Sequence, residues 1–252
     1  MIRELSQGIA HLHAINIIHR DIKPQNVLIS SKGRVMVSDF GLSKRLDAGV
    51  SSFQTVGISG THGWRAPEIV LLCLSTEPAA TSPTSASSLL RMTRAVDSFA
   101  LGCVVYYILT RGLHPFGDIL SREMNIANDC TAMERSIEPE SLDLVSKLIA
   151  FKPENRLDLL KTLQHVYFWT SQDCLYFLQE LSDKLDALGP EDTTVQSFER
   201  IAHVILKRDW DLIIERGILE ETFKYRKYDT SSLKDLLRVI RNKARLRYHI
   251  IR

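Results

Sequence analysis

Residues 19–26 read His-Arg-Asp-Ile-Lys-Pro-Gln-Asn, and residues 39–41 read Asp-Phe-Gly. Asp21 has a carboxylate suited to accept the proton of a substrate hydroxyl group. Lys23 carries a cation that neutralises charge on a phosphoryl group. Asp21, Lys23 and a second acidic motif that begins at Asp39 form a specific pattern. This pattern predicts a site for phosphoryl transfer.

The segment between the two motifs predicts a β-hairpin. Residues 27–30 and 34–38 alternate around a glycine-containing turn at residues 31–33. This hairpin would place Asn26 and Asp39 at adjacent strand ends. Their side-chain oxygens are of the kind that Mg²⁺ prefers, so both are predicted metal ligands.

The two motifs resemble the catalytic loop and the Asp-Phe-Gly motif of protein kinases. The resemblance implies that ATP or ADP binds together with Mg²⁺ and that Asp21 and Lys23 are catalytic. The residues expected to contact the nucleotide are Lys23, Gln25, Asn26 and Asp39. Protein kinases place their Gly-rich loop and phosphate-binding lysine upstream of this point. We therefore expect the N-terminal lobe to be absent, with the chain beginning in the helix before the catalytic loop.

Residues 42–59 are rich in Ser, Thr and Gly and precede an Ala-Pro-Glu motif at residues 66–68, as in a kinase activation segment. The candidate phosphate acceptors in this segment are Ser51, Ser52, Thr55 and Ser59. A phosphate here would pair with Arg20 and order the segment. The alternative is a solvated loop without a regulatory role.

Three further features accompany the kinase pattern. Residues 75–95 form a low-complexity insert, which predicts a disordered surface loop. Asp97 is expected to bind the backbone of the catalytic loop. Arg156 is expected to form a structural ion pair with Glu68.

A second region follows at residue 169 without a linker. Apolar residues at helical spacing predict helices near residues 173–185 and 193–206 and a last helix after residue 232. In the middle helix the inward side chains are predicted to be Phe198, Ile201, Val204 and Ile205. The predicted fold class is mainly α, with a kinase C-terminal lobe and its short β-hairpin over residues 1–168 and an all-α module over residues 169–252.

Composition is that of a soluble globular chain, with 252 residues, 44% hydrophobic and 25% charged. The longest apolar run, residues 99–109, is too short to span a bilayer. The four cysteines are scattered without metal-ligand spacing and predict reduced thiols of a cytosolic chain.

Positive charge is concentrated at one end of the chain. Residues 224–252 contain ten Lys and Arg against two acids, a net charge of +8, whereas the remainder carries −6. Such a segment suggests a polyanionic partner, with nucleic acid as the first candidate. A solvated basic helix face is the alternative that composition leaves open.

Residues 208–210 read Arg-Asp-Trp, and residues 235–238 read Asp-Leu-Leu-Arg. Behind a kinase lobe, this combination resembles the inositol-requiring kinase/endoribonucleases of the unfolded-protein response, to which ribonuclease L is more distantly related. The resemblance implies a serine/threonine kinase in which nucleotide binding gates metal-independent RNA cleavage. It also implies back-to-back dimers with trans-autophosphorylation. Relatives are anchored in the endoplasmic reticulum membrane and face the cytosol, and no membrane contact is expected within this chain.

The same resemblance assigns catalytic roles in RNA cleavage to Tyr228, Arg241 and Asn242. The acid of the family is a histidine five residues after the arginine, where this chain has Leu246, which donates no proton. His249 would replace it only after a local shift of the helix. We therefore expect an impaired fragment with an incomplete ribonuclease module. The alternative is a plain serine/threonine kinase lobe with a non-catalytic RNA-binding or dimerisation module.

Overall fold

The computed structural model describes residues 1–47, 49–50, 52–55, 59–75, 90–134, 136–224 and 226–250, without the side chains of residues 54, 55, 90, 91 and 245–250. The chain divides into two compact units, Met1–Phe168 and Trp169–Arg252. Helices dominate both units, which confirms the predicted mainly α fold class.

The described part of the first unit contains six helices and three two-stranded antiparallel sheets. The helices are α1 (Ile2–Ala14), α2 (Pro67–Ser75), α3 (Ala95–Leu109), α4 (Arg122–Ala127), α5 (Pro139–Leu148) and α6 (Leu159–Leu163). The strands are β1 (Ile17–Ile18), β2 (Val27–Ile29), β3 (Val35–Val37), β4 (Lys44–Arg45), β5 (Ser52–Thr55) and β6 (Leu90–Thr93). The pairs are β1 with β4, β2 with β3, and β5 with β6.

Helix α3 forms the centre of the core of the first unit. Every residue from 96 to 106 is buried, as expected for a helix that is apolar on all sides. Gly102 allows the chain at the end of α5 to approach closely, because a Cβ at this position would lie 2.8 Å from Leu148 Cβ and 2.6 Å from Ile149 Cγ2. The core therefore holds fixed the first turn of α3, which contains Asp97.

The predicted hairpin is present as β2 and β3, with Val27 opposite Val37. The Ser38 backbone N–H donates to the Asn26 carbonyl at 2.9 Å, which closes the hairpin beyond the last strand pair. Asn26 and Asp39 therefore lie at neighbouring strand ends, as the alternating pattern indicated.

The prediction of disorder over residues 75–95 is wrong for its last part. Leu90–Thr93 is strand β6, and it pairs antiparallel with β5 of the activation segment, with Phe53 opposite Met92. Met92 is 1% exposed, so the strand is held by burial as well as by its ladder. The rest of the low-complexity insert, residues 76–89, lies outside the described residues.

The described part of the second unit consists of five helices. They are α7 (Ser171–Ala187), α8 (Thr193–Arg200), α9 (Ala202–Leu206), α10 (Arg216–Phe223) and α11 (Leu233–Ile250). Trp210 of the Arg-Asp-Trp motif is 1% exposed and packs against Phe223 and Tyr228. Glu199 of α8 accepts hydrogen bonds from the first backbone N–H groups of α11, which caps that helix.

The predicted continuous helix over residues 193–206 is broken at Ile201. This residue ends α8 with φ −88° and ψ −3°, and α9 begins immediately after it. The break rotates the following residues, so three side chains predicted to face inward are 44–61% exposed: Ile201, Val204 and Ile205. Ala202 and Leu206 are buried in their place.

Among the described helices, none combines the length and the hydropathy that crossing a membrane requires.

Candidate functional sites

The carboxylate of Asp21 is the centre of a hydrogen-bonded cluster in the first unit. Lys23 Nζ donates to Asp21 Oδ2 at 2.7 Å, and Asn26 Nδ2 donates to the same oxygen at 3.1 Å. Thr61 Oγ1 and the Thr61 backbone N–H donate to Asp21 Oδ1 at 2.6 and 3.0 Å. The structure thus brings three of the predicted residues together and adds Thr61, to which sequence reasoning gave no role.

The electrostatics of Asp21 favour its ionised form. Burial alone would raise the pKa of this carboxyl group, but the hydrogen bonds from Lys23, Thr61 and Asn26 and the charge of Lys23 outweigh it, and the pKa lies below its ordinary value. Lys23 Nζ also donates to Thr61 Oγ1 at 2.7 Å, so the ammonium group is held beside the carboxylate. Asp21 is therefore a charged acceptor at neutral pH.

Asp97 holds the backbone of the catalytic loop, as predicted. Its Oδ2 accepts from the His19 N–H and its Oδ1 from the Arg20 N–H, both at 2.8 Å. Arg20 has φ +70°, an unusual conformation for a non-glycine residue that these bonds help to maintain. His13 Nε2 lies 2.8 Å from Asp97 Oδ2. A carboxylate that is 1% exposed thus has a partner for each oxygen.

Asn26 and Asp39, the two predicted cation ligands, lie at the neighbouring ends of β2 and β3. Asn26 uses its Nδ2 to bind the carbonyl and carboxylate of Asp21, which leaves the amide oxygen available. Asp39 is exposed, with φ +63°, and accepts a backbone hydrogen bond from Gly41 at 3.3 Å. Among the described residues no group of three or more His, Cys, Asp or Glu forms a metal cluster. A site with two oxygen ligands from the protein suits Mg²⁺, because the phosphates of a bound nucleotide supply further oxygen ligands.

Gln25, predicted to contact the nucleotide, lies in the short 3₁₀ turn Pro24–Asn26 and is exposed. Its side chain makes no hydrogen bond to the Asp21 cluster among the described residues. Its role in nucleotide binding stays a prediction.

The activation segment contacts the catalytic loop through Arg20. Arg20 Nε donates to Ser59 Oγ at 3.0 Å, and the Arg20 guanidinium lies 5.3 Å from the centre of the Phe53 ring. Ser52 is 6% exposed on β5. Of the other candidate phosphate acceptors, Ser51 and the side chain of Thr55 lie outside the described residues. Ser59 is therefore the candidate whose hydroxyl meets Arg20 here.

The predicted ion pair between Arg156 and Glu68 is present and bidentate. The two guanidinium nitrogens lie 2.8 and 2.7 Å from the two carboxylate oxygens. Arg156 also donates to the backbone carbonyls of Ala150, Phe151 and Ala95. This pairing fixes the end of the activation segment.

The second unit brings together the three residues assigned to RNA cleavage. Asn242 Nδ2 donates to the Tyr228 hydroxyl at 3.3 Å, and Arg241 Nε donates to Asn242 Oδ1 at 3.4 Å. The side-chain amide of Asn242 therefore lies between the Tyr228 hydroxyl and the Arg241 guanidinium and is hydrogen-bonded to both, so that the three side chains form a row. A guanidinium has a planar fork that matches phosphate oxygens.

Two acids of α7 hold the basic face of α11, and sequence reasoning missed both. Asp186 accepts from Arg238 Nε at 2.6 Å and from Arg241 Nη1 at 2.7 Å, while Asp183 accepts from Arg241 Nη1 at 3.0 Å. Burial would raise the pKa of Asp186, but the bonds from the two arginines outweigh it, and the pKa lies below its ordinary value. Asp183 and Asp186 are three residues apart, about one helical turn, so they share one face of α7. This spacing was the signal that the sequence offered.

The basic end of the chain is partly neutralised within the second unit. Arg238 and Arg241 pair with acids, and Lys243 Nζ lies 2.6 Å from Glu221 Oε2. Arg226 and Lys227 are exposed. The side chains of Leu246 and His249 lie outside the described residues, so the consequence of the leucine rests on the sequence.

Comparison with protein families identifies the same two parts. Residues 1–168 match the protein kinase domain, and residues 174–249 match ribonuclease 2-5A. The catalytic-loop cluster lies in the first match and the Tyr228–Asn242–Arg241 row in the second. The class is therefore a kinase lobe followed by a module of the ribonuclease 2-5A type.

Curated relatives match along nearly the whole chain. The serine/threonine-protein kinase/endoribonuclease IRE1 of Oryza sativa subsp. japonica is 37% identical over 97% of this chain and 26% of its own length. The kinase/endoribonuclease IRE2 of Homo sapiens is 38% identical over 96% of this chain and 26% of its own. The sensor for unfolded proteins in the ER, ire1, of Schizosaccharomyces pombe is 35% identical over 96% of this chain and 24% of its own length.

This chain belongs to the protein kinase family, and along nearly its whole length it is similar to serine/threonine-protein kinase/endoribonucleases, which confirms the resemblance drawn from its motifs. It spans about a quarter of the length of the curated relatives that it matches.

Proposed function

We propose that the first unit carries the phosphoryl-transfer loop of a serine/threonine kinase that uses ATP or ADP with Mg²⁺. The observation that supports this most strongly is the ionised Asp21 held by Lys23, Asn26 and Thr61. Asp21 accepts the proton of the substrate hydroxyl, and Lys23 offsets charge on the phosphoryl group. Asn26 and Asp39 would hold Mg²⁺, which would neutralise charge on the nucleotide phosphates.

We propose that the second unit binds stem-loop RNA at the row formed by Tyr228, Asn242 and Arg241. Arg241 binds the phosphate through its fork, in exchange for the contacts with Asp183 and Asp186 that hold it here, and Asn242 orients the Tyr228 hydroxyl toward the ribose. Cleavage then proceeds without a metal: the 2′-oxygen bonds to the neighbouring phosphorus as its proton passes to water, and the bond from phosphorus to the 5′-oxygen breaks, with the 5′-oxygen taking up a proton. Because Leu246 supplies no proton to the leaving oxygen, this chain cuts RNA slowly.

Self-association completes the proposal. The relatives are kinase/endoribonucleases, and one is named as a sensor for unfolded proteins in the endoplasmic reticulum. We propose back-to-back pairing of two copies, autophosphorylation of the activation segment and a position on the cytosolic face of that membrane.

The second candidate function is that of an RNA-binding module without turnover, which Leu246 and the basic residues of α11 favour.

The RNA site is tested by substitutions at Arg241. Arg241→Gln removes the phosphate contact, whereas Arg241→Lys keeps the charge beside Asp183 and Asp186 but loses the fork. Both are expected to weaken stem-loop RNA binding by about tenfold or more. Arg241→Gln should also reduce the slope of log affinity against log salt concentration by about one. Binding is measured by fluorescence anisotropy over a range of salt concentrations.

The matched control is Arg216→Gln. Arg216 is an exposed arginine of the same unit, and its side chain is 93% accessible. The control should bind RNA as the unsubstituted chain does. Equal losses at residues 216 and 241 would show diffuse charge attraction instead of a site.

A further inference from the structure

The first unit contains a cavity of about 660 Å³ that lies outside the proposed kinase site. It lies between the end of α1, the first turn of α3 and residues 153–164, and none of Asp21, Lys23, Asn26 and Asp39 lines it. Small-molecule sites in proteins commonly measure about 300–1,000 Å³. The cavity is therefore of the size of a ligand site, and the proposed function leaves it unexplained.

The wall of this cavity is mainly aliphatic. Its apolar lining includes Ala10, Ala14, Ala95, Leu157, Leu159 and Leu160. Burial of a hydrocarbon or aromatic group against such a wall is favourable because it removes apolar surface from water. The lining thus fits the body of an apolar or aromatic molecule.

Three cations line the cavity; Arg156 is already paired with Glu68, so Arg94 and Lys161 give the cavity its polar preference. Arg94 donates from Nη2 to Asn16 Oδ1 at 2.6 Å, its Nε is buried without a hydrogen-bond partner, and no described carboxylate forms an ion pair with it. Lys161 lines the same cavity, and its Nζ lies 3.8 Å from Asp158 Oδ2, a long and solvent-exposed ion pair. An acidic group in the cavity would give the Arg94 guanidinium the anionic partner that no described carboxylate supplies.

The cavity is one hydrogen bond away from the carboxylate that holds the catalytic loop. His13 lines it, and His13 Nε2 lies 2.8 Å from Asp97 Oδ2, whose carboxylate binds the His19 and Arg20 N–H groups. Arg94 also directly follows β6, which pairs with the activation segment. Contacts made in the cavity therefore reach both segments that surround Asp21.

We propose that this cavity binds a small molecule with an apolar body and one acidic group, and that its occupancy steadies the catalytic loop. Arg94 and Lys161 bind the acidic group, and the aliphatic wall binds the body. The bound molecule restrains His13 and Arg94, and through Asp97 it restrains the backbone of residues 19–21. This site is independent of the nucleotide site and does not rest on the proposed catalytic function.

The experiment titrates the full chain with phenyl phosphate as the probe and follows backbone amides by two-dimensional NMR. Shifts are expected at Ala95, Ser98 and Leu159, and ADP with Mg²⁺ should not reverse them. Arg94→Gln should weaken binding by at least about tenfold, because it removes the cation. Arg111→Gln, an exposed arginine beyond the other end of α3, is the matched control and should leave binding unchanged.

A second variant separates loss of binding from loss of folding. Ala14→Phe places a ring in the cavity from an exposed position at the end of α1 and leaves Arg94 intact. It should block the probe while the remaining amide spectrum stays that of the folded chain. Equal binding in this variant, displacement by ADP with Mg²⁺, or the absence of probe binding to the unsubstituted chain would overturn the site.

The coupling to the loop has its own readout. Hydrogen exchange at the His19 and Arg20 amides, both bonded to Asp97, should slow when phenyl phosphate is bound. Inorganic phosphate, which lacks the apolar body, should have a much smaller effect at the same concentration. Probe binding with unchanged exchange at these two amides would contradict the coupling.

Discussion

At the scale of single residues, Asp21 shows how the first unit prepares a carboxylate for chemistry. Its hydrogen bonds from Lys23, Thr61 and Asn26 favour the charged form over the neutral one, and the pKa is lowered. A lowered pKa in the folded state stabilises the fold above the pKa of the unfolded chain. That contribution is lost as the pH falls through the folded-state pKa.

Removal of the Lys23 ammonium group should therefore raise the pKa of Asp21. In Lys23→Met the carboxylate loses one charged hydrogen bond and one Coulombic partner, whereas burial persists. A carboxyl ¹³C NMR titration measures the change. Lys32→Met, an exposed lysine of the hairpin turn, is the control and should leave the titration unchanged. An unchanged or lower Asp21 pKa in Lys23→Met would contradict this assignment of the cause.

The motif spacing predicted Asp21, Lys23, Asn26 and Asp39, because local sequence places them on one loop and hairpin. It did not predict Thr61, which comes from a segment forty residues away and meets Asp21 only in the folded unit. The same holds for Asp186, whose partners Arg238 and Arg241 lie on a different helix. Long-range partners of a charged group have no local periodicity to reveal them.

At the scale of elements, the pairing of β5 with β6 links the activation segment to the chain just before α3. Phe53 of β5 lies near both Arg20 and Lys44, and Met92 of β6 is 1% exposed. The sequence suggested disorder here because Ser, Thr and Pro dominate the insert. Burial of Met92 and the strand ladder outweigh that local composition.

Truncation of the buried Met92 should release this pair of strands. Met92→Ala leaves a cavity under β6, with an expected cost of about 2–5 kcal/mol. Hydrogen exchange measured by mass spectrometry should accelerate in the peptide that covers Phe53 and its neighbours in β5. Met124→Ala, at a methionine that is 55% exposed, should leave it unchanged. Protection that persists in Met92→Ala would argue against the pairing.

Gly102 is a position of α3 without room for a larger side chain. A Cβ there would overlap side chains of Leu148 and Ile149. Gly102→Ala should therefore lower the free energy of unfolding by about 1–3 kcal/mol, although alanine is the better helix former.

The measurement for Gly102→Ala is urea denaturation, with Gly217→Ala as the control. Gly217 lies in α10, and nothing lies within 4 Å of its added Cβ. There the helix propensity of alanine should add up to about 1 kcal/mol. Stabilisation by both substitutions would show that the contact at α3 is looser than described.

Helix boundaries limited the sequence prediction in the second unit. The apolar spacing of residues 193–206 fits one continuous helix, but the 3₁₀-like hydrogen bond from the Ile201 N–H to the Phe198 carbonyl ends α8. A rotation at one residue exposes Ile201, Val204 and Ile205 together. Helical structure on both sides of Ile201 was predicted correctly, whereas the break and the buried face depend on packing that the pattern does not contain.

At the scale of the whole molecule, two compact units carry two proposed sites of different completeness. In the first unit, Lys23, Asn26 and Thr61 all donate hydrogen bonds to the Asp21 carboxylate. The second unit has the Tyr228–Asn242–Arg241 row, but the position of the family's acid holds Leu246. We propose that the chain recognises RNA and lacks one proton donor for efficient cleavage.

The most direct test is the rate of stem-loop RNA cleavage by the full chain and by Leu246→His, measured in EDTA, with Leu246→Gln as a control of similar size that supplies no acid. The claim predicts equal RNA binding by all three proteins. It predicts cleavage about 10²–10⁴-fold faster in Leu246→His than in the other two. Equal rates in Leu246→His and Leu246→Gln, or rapid cleavage by the unsubstituted chain, would contradict it.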